Sequence, residues 1–274
     1  MIIKTLVENT SISNEFKSQH GLCLYIETKK HKLLLDLGAN DMFVDNAKKM
    51  NIDLSAVDLV VISHGHYDHG GGLAKFLEVN SKAKIYLSKN AFEKHYSYIE
   101  NENKRYVGLD ENLMSNDRFI FVDNQMVIDD ELELFSNVKG YKFNPSENKR
   151  LYTEKDNLLV QDSFSHEQNL IIREGGKTLL LVGCAHSGII NIIEHFRDMT
   201  TTSPDYVIGG FHLSNPAGDR YEDLATVRQI GDYLKNTDSK YYTCHCTGTI
   251  PYELLKEVMG DKVDYLSGGT EITI

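Results

Sequence analysis

The sequence predicts an α/β fold carried by a single domain, residues 1–274. Short apolar runs that read as strands alternate with amphipathic segments of helical period from residue 32 onward, the pattern of a layered α/β unit. The second half echoes the first, with a hairpin followed by helix and strand. At 274 residues, 41% of them hydrophobic, the chain can bury a full core.

Residues 2–7, 22–28 and 32–37 are β-branched or leucine-rich and bounded by polar or glycine turns, so the chain opens as a meander, with Lys29-Lys30-His31 as a hairpin turn. Residues 41–50 place Met42, Phe43, Ala47 and Met50 on one side of an amphipathic helix that leads into an apolar strand at 57–62. A helix at 73–79 and a strand at 84–87 follow. From 91 to 150 the character changes. Phe92, Tyr96, Tyr98, Tyr106, Phe135 and other rings sit among asparagines, lysines and acids without sustained period. We read this stretch as an insertion or lid over the site, with ordinary packing the plainer account of any single ring. A hairpin of 169–173 and 178–183 comes next, then a helix at 187–196 and a strand at 206–208 that ends in Gly209-Gly210-Phe211-His212. A helix at 221–234, a strand at 241–243, a helix at 252–259 and the segment 265–274 complete the chain.

The chemistry concentrates after the strand at 57–62, in Ser63-His64-Gly65-His66-Tyr67-Asp68-His69-Gly70-Gly71-Gly72. Three imidazoles and a carboxylate occupy six positions. These are the donors that Zn²⁺, Fe²⁺ and Mn²⁺ share, so one tight loop can hold one or two ions. A polar surface turn is the bland alternative, and the density of ligand groups argues against it. Asp36, at the end of an earlier strand, either supports a ligand or caps its own turn. Cys184, His186, His212 and His245 each follow a strand closely, as His64 does. His20 is a weaker candidate, and His31, His95 and His195 read as solvent-facing or structural. Cys244 and Cys246, two residues apart, flank His245 on the strand face opposite to its own, which makes joint chelation with it awkward.

His64-x-His66-x-Asp68-His69 followed by glycines resembles the signature of the metallo-β-lactamase superfamily. The resemblance implies a four-layer αββα sandwich and two ions, the first on His64 and His66, the second on Asp68 and His69. It also implies further ligands at later strand ends: a third histidine for the first ion, an acid or cysteine near both, and a final histidine, for which His245 is placed. His166 stands roughly where the third histidine is expected and Cys184 where the acid is expected, while His186 competes for both, so this choice stays open. The segments Cys184-Ala185-His186-Ser187-Gly188, Gly209-Gly210-Phe211-His212 and His245-Cys246-Thr247-Gly248 are similar to the dihydropteroate-synthase-like branch. Members of that branch are commonly named dihydropterin-ribofuranosylaminobenzene-phosphate synthases.

The function expected is that of a dinuclear metallohydrolase, with zinc the first choice of ion and iron or manganese as alternatives. A bound ion acidifies its water enough to provide hydroxide at neutral pH. Asp68 orients that water and His212 assists charge or proton transfer at a small anionic, phosphoester-type substrate. Transfer of a pterin-type group with release of pyrophosphate, and metal-dependent ligand binding without turnover, are the alternatives. A formal charge of −11 with scattered Lys and Arg disfavours nucleic acid as a partner. No apolar run is long enough for a membrane span, and Met1-Ile2-Ile3-Lys4 turns charged too early for a signal peptide. Four cysteines form no regular framework, so reduced thiols and a cytoplasmic location are expected.

Overall fold

The leucine runs explain the architecture. In the strand Lys32–Leu35, Leu33 and Leu35 pack into an inner core and Leu34 into an outer one, all fully buried. In Lys177–Leu181, Leu179 and Leu181 point inward and Leu180 outward in the same way. Successive strand residues face opposite sides, so an unbroken apolar run needs cover on both faces. That is the position of a strand in the middle layers of a four-layer sandwich.

The computed structural model describes residues 1–99, 103–215 and 220–274. Among them, one sheet runs in the order Glu271–Thr273, Ile2–Val7, Cys23–Glu27, Lys32–Leu35, Leu59–Val61, Lys84–Ser88 and Phe119–Val122. The other runs Val263–Tyr265, Lys240–Thr243, Tyr206–Gly209, Lys177–Leu181, Gln168–Glu174, Leu132–Ser136 and Gln125–Val127. Each sheet joins an antiparallel part to a parallel part, so the two halves are built alike. Helices Met42–Lys49 and Leu73–Val79 cover the outer face of the first sheet. Helices Ile189–Thr200, Leu224–Lys235 and Thr249–Met259 cover the second. The result is an αββα sandwich. The helix expected at 221–234 begins instead at Leu224, because the Asp223 carboxylate accepts the Thr226 N–H and caps it there.

The aromatic-rich stretch 91–150 is divided between layers. Phe119–Val122 extends the first sheet, while Gln125–Val127 and Leu132–Ser136 edge the second. His95–Ile99 and Asn103–Tyr106 join Leu151–Lys155 and Leu158–Gln161 in a separate antiparallel sheet, whose last two strands lie beyond residue 150. Residues 100–102 lie outside the described residues.

His31 clips the two large sheets together. Its Nδ1 lies 3.1 Å from Asp58 and its Nε2 2.6 Å from Asp129, at the hairpin leading into Leu132–Ser136. Burial opposes the imidazolium charge, but the two acids outweigh it and raise the His31 pKa. A raised folded pKa gives stability that is fully present below the unfolded value near 6.5 and is lost as pH climbs through the folded value. His31→Ala should therefore lower the melting temperature at pH 6 and have a smaller effect at pH 9, as thermal unfolding at the two pH values will test.

Candidate metal centre

Parallel strands present their C-terminal ends at one edge, where sites of layered α/β folds are built. Asp36, the His64–His69 loop, His186, His212 and His245 all follow such ends. The loop itself is tight. After His66 the chain makes one helical turn, Tyr67–Gly70, and the His69 and Gly70 N–H groups both donate to the His66 carbonyl. At Gly65 a Cβ would collide with the Ala91 carbonyl and lie 2.9 Å from His95 Nε2, so only glycine lets the loop sit this close to its neighbours.

The imidazoles converge through their Nε2 atoms. His64 Nε2 lies 3.4 Å from His186 Nε2, and His69 Nε2 lies 3.2 Å from His245 Nε2 and 3.1 Å from Cys184 Sγ. Asp68 Oδ2 is 3.3 Å from His245 Nε2 and 3.6 Å from His69 Nε2. Each ring is held from behind at Nδ1. His186 Nδ1 donates to Asn148 Oδ1 at 3.1 Å, and His245 Nδ1 to Asn9 Oδ1 at 2.9 Å. Ser63 gives its one hydroxyl proton to Asp36 at 2.8 Å, so its oxygen accepts from His64 Nδ1 at 2.9 Å. His69 Nδ1 lies 2.6 Å from Asp36 Oδ2.

A neutral imidazole has one N–H. With Nδ1 donating, the Nε2 atoms of His64, His186 and His245 are lone pairs, and burial followed by neighbouring imidazoles pushes the pKa of His64 and His186 well down. Lone pairs this close cannot hydrogen-bond to one another; they need a cation between them. Burial opposes charge on His69, but Asp36 and Asp68 outweigh it and raise its pKa to about 9, so in the ion-free protein a proton supplies that positive charge. Burial likewise works against the Asp68 carboxylate, and His69 and His20 hold its pKa well below the usual range. Three buried lone pairs, a thiol and a carboxylate are a donor set that fits divalent ions such as zinc. Cys184 belongs to groups with His64 and His69, with His186 and His212, and with His245 and Cys246, which places it between the two halves of the site.

The backbone is bent to bring these groups in. Asp36, Ala185, His212 and His245 have φ of 62°, 45°, 53° and 52°, left-handed values that cost non-glycine residues energy and cluster where function over-determines the chain. His245 leaves the strand Lys240–Thr243 into a 3-10 turn, so His245 and Cys246 reach the same cluster while Cys244 packs between the sheets. The opposite-face expectation for Cys246 fails because the strand ends before it. His166 does not join the facing Nε2 atoms. It lies behind the loop, where its Nδ1 accepts the Gly65 N–H at 2.9 Å. His95, expected to be solvent-facing or structural, is fully buried beside it.

Several supporting groups were missed from sequence. Glu8 accepts the His245 N–H at 2.6 Å and the Tyr265 hydroxyl at 2.7 Å, and Glu167 accepts the N–H groups of His186 and Ser187 at 2.5 and 3.0 Å. Glu8 and Asn9 directly follow the strand Ile2–Val7, the same strand-end position that singled out His64, so a signal was there.

A cleft opens above the site. Tyr98 and Arg105 from the small sheet, Arg150, and Arg220 line it together with His20, His66, Asp68 and His212. Arg105 donates to the Tyr67 hydroxyl at 3.1 Å and its guanidinium lies 5.0 Å over the Tyr67 ring, which accounts for the tyrosine between the ligand positions. Glu147 pairs with both Arg150 and Arg220, at 3.4 and 3.2 Å. The cleft lining sets three guanidinium groups against the two carboxylates of Asp68 and Glu147, a formal surplus of one positive charge in a chain of formal charge −11. His212 stands at its floor, ring centroid 4.2 Å from His186, and neither of its buried ring nitrogens has a hydrogen-bond partner among the described residues.

Comparison with known proteins agrees with this fold. The family profile described as "Metallo-beta-lactamase superfamily" matches residues 19–147. The uncharacterized protein MJ0448 of Methanocaldococcus jannaschii is 31% identical over 253 residues, covering 90% of this chain and 91% of that one. The 7,8-dihydropterin-6-methyl-4-(beta-D-ribofuranosyl)-aminobenzene-5'-phosphate synthase of the same organism is 25% identical, covering 97% of this chain and 94% of its own. Among solved structures, Tm1679, described as a metal-dependent hydrolase of the beta-lactamase superfamily, superposes with a TM-score of 0.81 at 29% identity over 100% of this chain and 99% of that chain. The zinc-bound PqqB of Methylobacterium extorquens, at 12% identity over 100% of both chains and a TM-score of 0.59, shares the fold. Sequence signature, sandwich and relatives together place this chain in the metallo-β-lactamase superfamily.

Proposed function

We propose that the protein is a metal-dependent hydrolase of small, anionic, phosphoester-type substrates, with two divalent ions held between its converging side chains. The observation that carries this reading is the set of buried Nε2 lone pairs facing one another, each fixed by an oxygen acceptor behind its ring. His64, His66 and His186 would hold one ion and Asp68, His69 and His245 the other, with Cys184 between them. When bound, such ions supply Lewis acidity and a water acidified toward neutral pH. The chain's own residues do the rest. Arg105, Arg150 and Arg220 attract and orient the anionic group. Asp68 orients the attacking water from one side, and His212 is placed to hand a proton to the leaving oxygen. The small sheet adds Tyr98 and Leu151 to the cleft wall.

A second reading, transfer of a pterin-type group, draws on the 25% identity to the synthase over 97% of this chain. The two separate in one set of assays. Protein prepared without added metal is analysed for elemental content, then given bis-p-nitrophenyl phosphate and, separately, a pterin pyrophosphate with and without an aminobenzene-type acceptor. We expect about two ions per chain and phosphodiester hydrolysis, with the ion that His66 helps hold and the hydrolysis both lost in His66→Ala. Full metal and activity in that variant would sink the site assignment, and release of pyrophosphate that requires the acceptor and forms the joined product, with no phosphodiester hydrolysis, would select transfer.

A further inference from the structure

Behind His66, on the side away from the cleft, four buried groups meet: His66, His95, Asp162 and His166. Their protons can be assigned one by one. The Gly65 N–H donates to His166 Nδ1, so His166 carries its proton on Nε2, 3.3 Å from Asp162 Oδ2. His95 Nδ1 lies 2.9 Å from the same oxygen. A carboxylate only accepts, so His95 is protonated on Nδ1 and its Nε2 is a lone pair. That Nε2 is enclosed without a partner, and so is His66 Nε2. The two rings meet edge to face, with centroids 5.6 Å apart at 81°.

His66 also lines the cleft, and its ring lies 4.6 Å from His64 and 5.0 Å from His186 between centroids. With Nε2 enclosed at the back, Nδ1 is the nitrogen left for the front. An imidazole that binds through Nδ1 keeps its proton on Nε2, and that proton needs an acceptor. His95 Nε2 is an unpartnered lone pair beside it. A metal ion in the rear cluster is the competing account of four such groups. It would need the Nε2 lone pair of His166, yet His166 already uses its lone pair at Nδ1 to accept the Gly65 N–H.

We infer that Asp162 and His95 form a relay that positions His66: Asp162 sets the His95 tautomer, and His95 Nε2 accepts the His66 Nε2–H, so that His66 presents Nδ1 to an ion shared with His64 and His186. His166, on the same carboxylate, pins the loop backbone at Gly65. His95 and Asp162 are positioning residues and touch no substrate. This inference rests on the proposed metal site, so its test must tell the two apart.

The experiment uses the full chain as wild type, His66→Ala, His95→Ala, His95→Gln and Asp162→Leu, which removes the acceptor at similar size. Zinc stoichiometry is measured by elemental analysis, zinc affinity by competition with a chromophoric chelator, and the melting temperature on metal-free protein. His95→Ala and Asp162→Leu should weaken the affinity for one equivalent by roughly 10–100-fold, the range for partners behind a ligating histidine. His95→Gln should recover most of it, because its amide oxygen accepts where Nε2 did; a purely structural role would follow the metal-free melting temperature and show no such rescue. Wild-type affinity in His95→Ala, with zinc lost in His66→Ala, overturns the relay and leaves the site standing. Wild-type zinc in His66→Ala overturns the site beneath it. A third equivalent in wild type that His95→Ala alone removes also overturns the relay and makes the cluster a metal site. If His95→Ala does not fold, His95→Gln and Asp162→Leu decide, the relay being overturned if Asp162→Leu binds zinc as wild type does.

Discussion

Asp68→Ala is expected to bind about one ion fewer per chain and to lose at least ~10³-fold in kcat/KM on a phosphodiester, several kcal/mol of barrier. Asp68 brings a carboxylate among neutral donors, with Oδ2 3.1 Å from His20, 3.3 Å from His245 and 3.6 Å from His69. Without it, a doubly charged ion in that half would face imidazoles and a thiol whose own burial keeps its pKa high. The carboxylate also orients the attacking water, so binding and turnover fall together. The metal-free fold should be little changed. Elemental analysis beside steady-state kinetics makes the check, and an Asp68→Ala protein with two ions and wild-type turnover would remove Asp68 from the mechanism.

Asp36→Ala should be the most destabilising single change at the site, by about 3–5 kcal/mol, the usual cost of breaking a buried ionic pair from one side. Asp36 is fully buried and accepts from the Ser63 N–H at 2.7 Å, the Ser63 hydroxyl at 2.8 Å and His69 Nδ1 at 2.6 Å. Alanine leaves all three donors without their acceptor. In a domain of this size that corresponds to a fall of roughly 10 °C in melting temperature. Ion affinity should fall as well, since both His64, through Ser63, and His69 lose what orients them. Asp36→Asn keeps an acceptor and should land between. Melting curves of the metal-free proteins test this directly, and a wild-type midpoint for Asp36→Ala would show that the network contributes nothing.

Why some of this was legible in the sequence and some was not is a matter of range. Strand ends, glycine turns and the dense ligands of 64–69 are local features, so the order of elements and the loop could be read from neighbours in the chain. The acceptors that set each imidazole's proton are not local: His245 depends on Asn9, His186 on Asn148, and His69 on Asp36. No periodicity links such pairs. Sequence could not separate His166, Cys184 and His186 for the same reason: His166 and His186 both follow the loop in the chain, and only the fold brings His186 Nε2 to 3.4 Å from His64 Nε2. Cys246 was misread through a correct rule applied one turn too far, since alternation of faces holds only while the chain stays extended.

The small antiparallel sheet supplies Ser97, Tyr98, Arg105 and Leu151 to the cleft, yet among the described residues its strands pair with one another and with neither large sheet. It is therefore a natural unit for retailoring what the protein accepts, because its outer strands can be redrawn without breaking a ladder of the sandwich. That freedom has a boundary. His95 opens one of its strands and Asp162 follows another, so a transplanted sheet lacking these two residues would carry a new specificity to a site whose His66 no longer has its support.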